Sequence, residues 1–466
     1  MPFRKRKRLR LSNMDEKQGE KFHKMTQTPV GRLICQLALP CIISMLVTSF
    51  YNMADTFFVG KLDSDAATGA VGVVFSLMAV IQAIGFFFGH GSGNFISREL
   101  GKQNFEDASN MAATGFFSAL GAGLVLCILG QIFLEPLAYL LGSTDTILPY
   151  AKAYMRIILI GAPWMTASLV LNNQLRFQGS AAYGMVGITS GAVLNIALDP
   201  LLIFVLDMGV AGAALATIIS QFVSFCLLMV GCGKGGNLHI HISRVQLKWP
   251  YYRQIIRGGL PSLARQGLAS VATICLNLAA KPYGDAAIAA MGVVQRIMMF
   301  GASAMIGFGQ GFQPVCGFNY GAMLYDRVKK GFWFCVKTSS VFLFAISALG
   351  FAFAPQLVAL FRDSPEVISI GATALRFQCA TFCFQGWVVM SNMMLQTIGR
   401  TGPATFLAMA RQGIFFIPLV WLLSHLLGLT GIQMTQMVSD TLTLACAIPI
   451  QIKALRELSA PSGPSA

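Results

Sequence analysis

The sequence predicts an all-α membrane protein, with twelve transmembrane helices in two six-helix bundles related by a pseudo-two-fold axis along the membrane normal. Three observations carry that expectation. The 466 residues are 55% hydrophobic and only 11% charged, with a mean hydropathy of +0.64, far more apolar than a soluble chain of this length. Apolar runs of about 20 residues, enough to cross a hydrocarbon core, recur along almost the whole chain. The second half repeats the first at a spacing of 220 residues.

Taken in order, the expected spans lie near 33–59, 67–97, 110–134, 149–171, 185–206, 211–233, 258–280, 286–317, 332–354, 366–393, 404–427 and 432–452. The longer ones must tilt, bend or protrude from the bilayer. They divide the chain into a basic tail (1–29), an N-lobe (30–233), a connecting segment (234–257), a C-lobe (258–455) and a second tail (456–466).

An even number of spans puts both termini on one side, and the distribution of Lys and Arg chooses that side. The first segment carries Arg4, Lys5, Arg6, Lys7, Arg8 and Arg10. Of the 34 Lys and Arg, 24 fall in segments on the side of the termini, including Arg176 after the fourth span, and only Lys61, Lys281 and Arg362 fall in the opposite loops. Both termini are therefore expected in the cytoplasm and the protein in the inner membrane. The formal charge of +15 then reflects topology and attraction to anionic lipid, with no nucleic-acid partner. No short apolar core with a small-residue cleavage site follows the basic start, so the first span is expected to be retained. The 11 cysteines lie nearly all inside spans and read as small packing residues.

The repeat rests on matched polar and glycine positions. Asp65, Gly72, Gly89, Gly91, Gly101, Arg156, Asn172 and Gly179 meet Asp285, Gly292, Gly309, Gly311, Gly321, Arg376, Asn392 and Gly399. Repeats of six spans insert with the same orientation, which places a substrate site between the lobes.

Motifs of soluble chemistry do not fit. Gly89-His90-Gly91-Ser92-Gly93 sits inside an apolar helix, where small residues allow close helix packing. The glycine run from Gly231 to Gly236 lacks the spacing and the Ser/Thr of a phosphate loop. His239 and His241 have no acidic or cysteine partner pattern beyond Cys232. No cofactor is expected, and a membrane-embedded enzyme would need a nucleophile or metal cluster that is not found.

Asp55, Asp199 and Asp440 are the carboxylates that lie clearly within spans, where an unpaired charge costs several kcal/mol. Asn195 precedes Asp199 by one helical turn and shares its face. Pro200 frees the carbonyl of Ile196. Thr217 reaches a similar depth from the next span. Asp55, Asn195, Asp199 and Thr217 thus form an all-oxygen set suited to a hard cation such as Na+ or, since neighbouring carboxylates share a proton readily, to H+. Ion pairing with Lys152 or Arg156 is the structural alternative. At the 220-residue spacing this set aligns with Cys275, Phe415, Leu419 and Met437 in turn, so the acidic site belongs to the N-lobe alone. Pro40 marks a bend in the first span, with Pro261 nearly equivalent in the seventh.

Residues 51–60 (Tyr-Asn-Met-Ala-Asp-Thr-Phe-Phe-Val-Gly), the run Asn195-Ile196-Ala197-Leu198-Asp199-Pro200 and the run from Gly209 to Thr217 resemble the multidrug and toxic compound extrusion (MATE) family, over residues 30 to 455. The resemblance implies proton- or sodium-coupled antiport of amphipathic, often cationic compounds through a cleft between two bundles. It also implies that Asp55, Asn195, Asp199 and Thr217 are the cation site and Pro40 the helix bend. The seventh and tenth spans lack the acids of the NorM-like branch, which favours the DinF-like branch. Gln174, Met291 and Gln295 are the expected cleft contacts, and a monomer is expected. The rival is a flippase for a lipid-linked anion, favoured if Arg265, Arg296, Arg376 and Arg411 face the cleft.

Overall fold

The computed structural model describes residues 18–59, 61, 65–235, 238 and 240–459. The basic run at residues 4–10, His239 and the end of the C-terminal tail lie outside the described residues. A short helix α1 (18–27) leads into α2 (Val30–Val59), α3 (Asp65–Gly101), α4 (Phe105–Ile132), α5 (Leu134–Leu140), α6 (Leu148–Phe177) and α7 (Ala181–Pro200). A π-helical turn, π1 (Leu201–Val205), and α8 (Gly209–Gly235) complete the N-lobe. The C-lobe contains α9 (Trp249–Ala280), α10 (Asp285–Gly321), α11 (Tyr325–Ala352), α12 (Ala354–Ala359), α13 (Pro365–Phe382) and α14 (Gln385–Thr397). It ends with α15 (Thr401–Met409), a second π-turn π2 (Ala410–Ile414), α16 (Phe416–Leu427) and α17 (Leu429–Glu457).

Among the described residues, eleven helices are long and apolar enough to cross a bilayer, and a twelfth span is broken into α13 and α14 by a bend of 56°. The 30 residues of α2 extend about 45 Å at about 1.5 Å per residue, beyond the hydrocarbon thickness of about 30 Å. The helix starting at Trp249 takes residues 249–257 from the expected connecting segment into the C-lobe.

The duplication is visible in the backbone. Helices α3, α4, α5 and α8 start 220 residues before α10, α11, α12 and α17. Gln103 and Met323 are both left-handed, with φ of 60° and 61°, in the tight turns after α3 and α10. The matching bonds Asn104 N to Glu99 O and Leu324 N to Asn319 O are each 2.8 Å long. Gly179 and Gly399, with φ of 79° and 86°, end the fourth and tenth spans in the same way, because a left-handed residue there lets the next N–H reach back to an orphan carbonyl.

The lobes meet in the half of the membrane domain nearest the termini, along α2, α3, α9 and α10, and there glycine lets backbones touch. A Cβ at Gly91 would lie 2.4 Å from the Ile255 carbonyl oxygen, and one at Gly101 would lie 2.2 Å from that of Phe318. One at Gly311 would lie 2.4 Å from Ala38 Cα. The bonds crossing this seam include Arg98 Nη1 to Thr397 O (2.6 Å), Asn319 Nδ2 to Met25 O (3.1 Å) and Thr397 Oγ1 to Asn94 Oδ1 (3.1 Å). At mid-depth Ser49 and Ser303 hydroxyls are 2.9 Å apart, and the Phe50 and Phe300 rings meet edge-on at 5.5 Å.

Candidate cation site and cleft floor

The N-lobe site grows from the end of α7. Pro200 has no N–H to continue the ladder, and the chain passes into π1, where Leu206 N bonds Leu201 O at 3.0 Å. Gly212 of α8 packs against this turn, with room for no side chain, since a Cβ there would lie 2.6 Å from Leu202 O. That close approach brings Thr217 against Asn195. With its amide nitrogen turned toward the carboxylate, Asn195 donates to Asp199 Oδ2 at 3.1 Å and accepts from Thr217 N at 3.2 Å. Thr217 Oγ1 donates to Ala213 O at 3.0 Å.

Asp55 stands on α2, which packs along α7, the helix that carries Asn195 and Asp199. Asp55, Asn195, Asp199 and Thr217 are all buried, at 6%, 1%, 0% and 1% exposure. Oδ1 of Asp55 and Oδ1 of Asp199 have no hydrogen-bond partner among the described residues. The alternative pairing with Lys152 is not formed, because Lys152 Nζ bonds Glu135 Oε2 at 2.9 Å, and Arg156 is exposed. A cavity of about 90 Å³, lined by Thr48, Tyr51, Gln82, Asn195, Thr217 and Ser220 among others, opens beside the site. Two residues escaped the sequence reading. Tyr51 lines the same cavity as Thr217, and Tyr154, 1% exposed, packs in one cluster with Ala213, Ala214 and Ile218 around Thr217 on α8. Tyr51 stands one turn before Asp55, a usable signal, whereas Tyr154 is brought in by α6 from far along the chain.

In the C-lobe the corresponding space is filled from within. Gly191 and Ser220 line the N-lobe cavity; the residues 220 positions on are Arg411 and Asp440. Arg411, carried on π2, donates from Nε to Asp440 Oδ1 at 2.9 Å, and Gln436 Nε2 adds a bond of 2.7 Å to the same oxygen. Asp440 is thus an internally paired carboxylate.

Two expected cleft contacts need correction. Gln174 points into the N-lobe, bonding Ser92 Oγ (3.1 Å) and Ala112 O (3.0 Å), because the helical register of α6 turns Asn173 and Arg176 toward the seam instead. Met291 is 2% exposed in the C-lobe core, its face of α10 packing within its own lobe. Gln295 is half-buried and donates to Thr273 Oγ1 at 3.3 Å. The four intraspan arginines also divide. Arg411 is paired, Arg376 is exposed and lies 5.7 Å over the Phe351 ring, Arg296 is exposed, and Arg265 is half-buried near the seam.

Arg176, expected in a connecting loop, is the last basic residue of α6 and only 2% exposed. It reaches across the seam from Nη1 to Gln313 Oε1 (2.8 Å) and Gln310 O (3.4 Å) of the C-lobe. Within its own lobe Nη2 bonds Asn173 Oδ1 (2.5 Å) and His90 Nε2 (3.2 Å). Since a guanidinium only donates, His90 Nε2 accepts, and Nδ1 carries the proton toward Phe86 O at 3.2 Å. This buried His90 is a neutral imidazole.

Comparison with known proteins agrees with this architecture. The family described as MatE matches residues 40–201 and again 261–422. The chain is 26% identical over 434 residues to the multidrug export protein MepA of Staphylococcus saprophyticus, covering 92% of this chain and 95% of that one. It is 25% identical over 435 residues to MepA of Staphylococcus aureus, with the same coverage. Among solved structures, an outward-facing MATE family transporter of the MOP superfamily superposes with a TM-score of 0.88 at 25% identity, covering 95% of this chain and 99% of that one. A MOP superfamily transporter from Pyrococcus furiosus gives 0.89 at 25% identity, covering 94% and 99%. With two bundles of helices, a family match in each half and no enzyme in that family, this chain belongs to the MATE family of membrane transporters.

Proposed function

We propose that the chain is a secondary active exporter that uses an inward gradient of H+ or Na+ to move amphipathic small molecules outward across the cytoplasmic membrane by alternating access. The supporting observation is the pair of orphaned oxygens, Oδ1 of Asp55 and of Asp199, buried beside Asn195 and Thr217. A buried carboxyl oxygen without a donor is costly, and a proton or a hard cation entering from the adjacent cavity satisfies it. The ion is a transported substrate here, and Asp55, Asp199, Asn195 and Thr217 are its ligands. The names of the Staphylococcus relatives, multidrug export proteins, support the export of small molecules.

Both termini are assigned to the cytoplasm by the excess of basic residues on their side. The seam near the termini then closes the cytoplasmic path, so this state faces outward, and Pro40, inside α2 between the seam residues Ala38 and Ile42, is the position at which we expect the helix to bend on opening. The chain works as a monomer surrounded by lipid. Coupling requires that ion and substrate favour different states. Dye flux in reconstituted vesicles, with pH and sodium gradients imposed separately, tests this reading. Flux that follows one gradient and disappears in Asp199→Asn supports it; flux indifferent to both gradients, or unchanged in that variant, overturns it.

A further inference from the structure

At the terminal end of the seam a cavity of about 200 Å³ opens between the lobes. It is lined by Arg98 of α3, Gln254 and Arg257 of α9, Gln396 of α14, and Gly399 and Thr401 at the turn into α15. Several times the roughly 30 Å³ that one water occupies in the liquid, it admits a small polyatomic ion. Its walls are held by short bonds. Arg98 Nη1 donates to Thr397 O at 2.6 Å, and Gln396 Nε2 donates to Gly258 O and Ser262 Oγ at 2.7 and 2.9 Å. The Arg98 guanidinium lies over Gly399, where a Cβ would stand 3.6 Å from its Cζ. Among the described residues no acidic side chain lines the cavity, and Arg257, which is exposed, makes no hydrogen bond or ion pair. The neighbouring Arg400 is occupied elsewhere, by Glu457.

The equivalent place in the other half is filled with apolar side chains. A Cβ at Gly101 would meet the Phe318 carbonyl, and one at Gly321 would meet that of Arg98, so Phe318 and Arg98 stand at matching points of the seam. At the same 220-residue spacing Gln254 and Arg257 correspond to Ile34 and Leu37. Ile34, Leu37 and Phe318 are all buried, in one core cluster with Met25. Met25 covers Gly179 as Arg98 covers Gly399. One side of the pseudo-two-fold axis is therefore dry and packed, while the other is open and basic. Two guanidinium groups around a cavity without a carboxylate favour an anion. The first turn of α15, which begins at Thr401, adds N–H groups that have no partner within the helix.

We propose that this cavity binds a phosphate group, which accepts from Arg98 of the N-lobe and from Arg257 and Gln254 of the C-lobe beside the first turn of α15. The several oxygens of a phosphate let one group bond both guanidiniums and a helix N-terminus together. Because the donors come from both lobes, the bound group favours the closed seam over an open one. The site is separate from Asp55 and Asp199 and does not depend on the export reading. Two sources carry this chemistry, the headgroup of an anionic phospholipid and a soluble phosphate.

Two measurements on the full chain test the site. Inorganic phosphate is titrated calorimetrically into the protein in phosphatidylcholine nanodiscs. Native mass spectrometry of the detergent-solubilised protein compares added phosphatidylglycerol with phosphatidylcholine. Inorganic phosphate, or phosphatidylglycerol in preference to phosphatidylcholine, is expected to bind the wild type at least about tenfold more tightly than Arg257→Gln. Arg257→Lys, which keeps the charge, should retain binding. Arg257 has no protein partner to lose, so its variant is not a folding test. Arg98→Gln, checked for monodispersity, should weaken the same ligand, because the site takes a donor from each lobe. Arg257-dependent retention of phosphatidylglycerol identifies the lipid as the source, and Arg257-dependent binding of inorganic phosphate identifies a soluble one. Binding of neither, binding unchanged in Arg257→Gln, or binding unchanged in monodisperse Arg98→Gln overturns the proposal. Arg257-dependent binding without gradient-driven dye flux keeps this site and sinks the export reading, while gradient-driven flux without such binding does the reverse.

Discussion

Asp55 and Asp199 each keep one oxygen buried without a hydrogen-bond donor, a rare condition in folded proteins. Their neighbours make the two halves of the site respond oppositely to mutation. Asn195→Ala removes the donor to Asp199 Oδ2 and the acceptor of Thr217 N, a loss of about 1–3 kcal/mol. It should lower the melting temperature and weaken ion dependence together. Asp199→Asn instead relieves an unpaired carboxyl, so its melting temperature should equal or exceed that of the wild type while ion-driven export is lost. A sharply destabilised Asp199→Asn would mean that the carboxylate is structural. This set was legible because one-turn spacing on a helix and similar depth in the membrane follow from the chain alone. Tyr154 was not, since its place beside Thr217 depends on α6 packing against α8. Arg176 was misplaced because local composition ends the span early, while the helix runs on to Phe177.

At the scale of elements, spans and repeat spacing were readable because apolar length and paired glycines are local properties. The two π-turns and the broken tenth span were not, as they depend on what each helix packs against. The turns explain how similar lobes diverge. π1 follows Pro200 and leaves an open cavity beside Asn195; π2 carries Arg411 into the equivalent space, where Asp440 receives it. A guanidinium fixed to the helix thus fills in the C-lobe the space that stays open beside Asn195 in the N-lobe. Arg411→Ala strands Asp440, 3% exposed, and should cost about 3–5 kcal/mol. Arg411→Ala combined with Asp440→Ala should recover most of that loss. Thermal unfolding of the three variants in one detergent checks this, and a double variant as unstable as the single would remove the pairing from the explanation.

For the whole molecule, the proposed alternating access makes the seam the element with two arrangements, and glycine sets its balance. Gly101, Gly311 and Gly321 allow contacts that any side chain would prevent, with Cβ positions 2.2, 2.4 and 2.0 Å from atoms of the facing backbone. Rigid backbone cannot yield as a flexible side chain can, so a bulky residue here acts on the closed state and spares each lobe's own core. Gly311→Val should therefore shift the population toward separation of α2 from α10 at the terminal side. A change of about 3 kcal/mol between the states moves their ratio by more than about a hundredfold. Spin labels at Ser49 and Ser303, whose hydroxyls are 2.9 Å apart in the closed seam, report the separation directly. The distance distribution should move to longer values in Gly311→Val and stay at the wild-type value in Gly121→Val, where a Cβ meets nothing within 4 Å. A distribution in Gly311→Val that stays at the wild-type value would mean that this backbone contact does not set the balance.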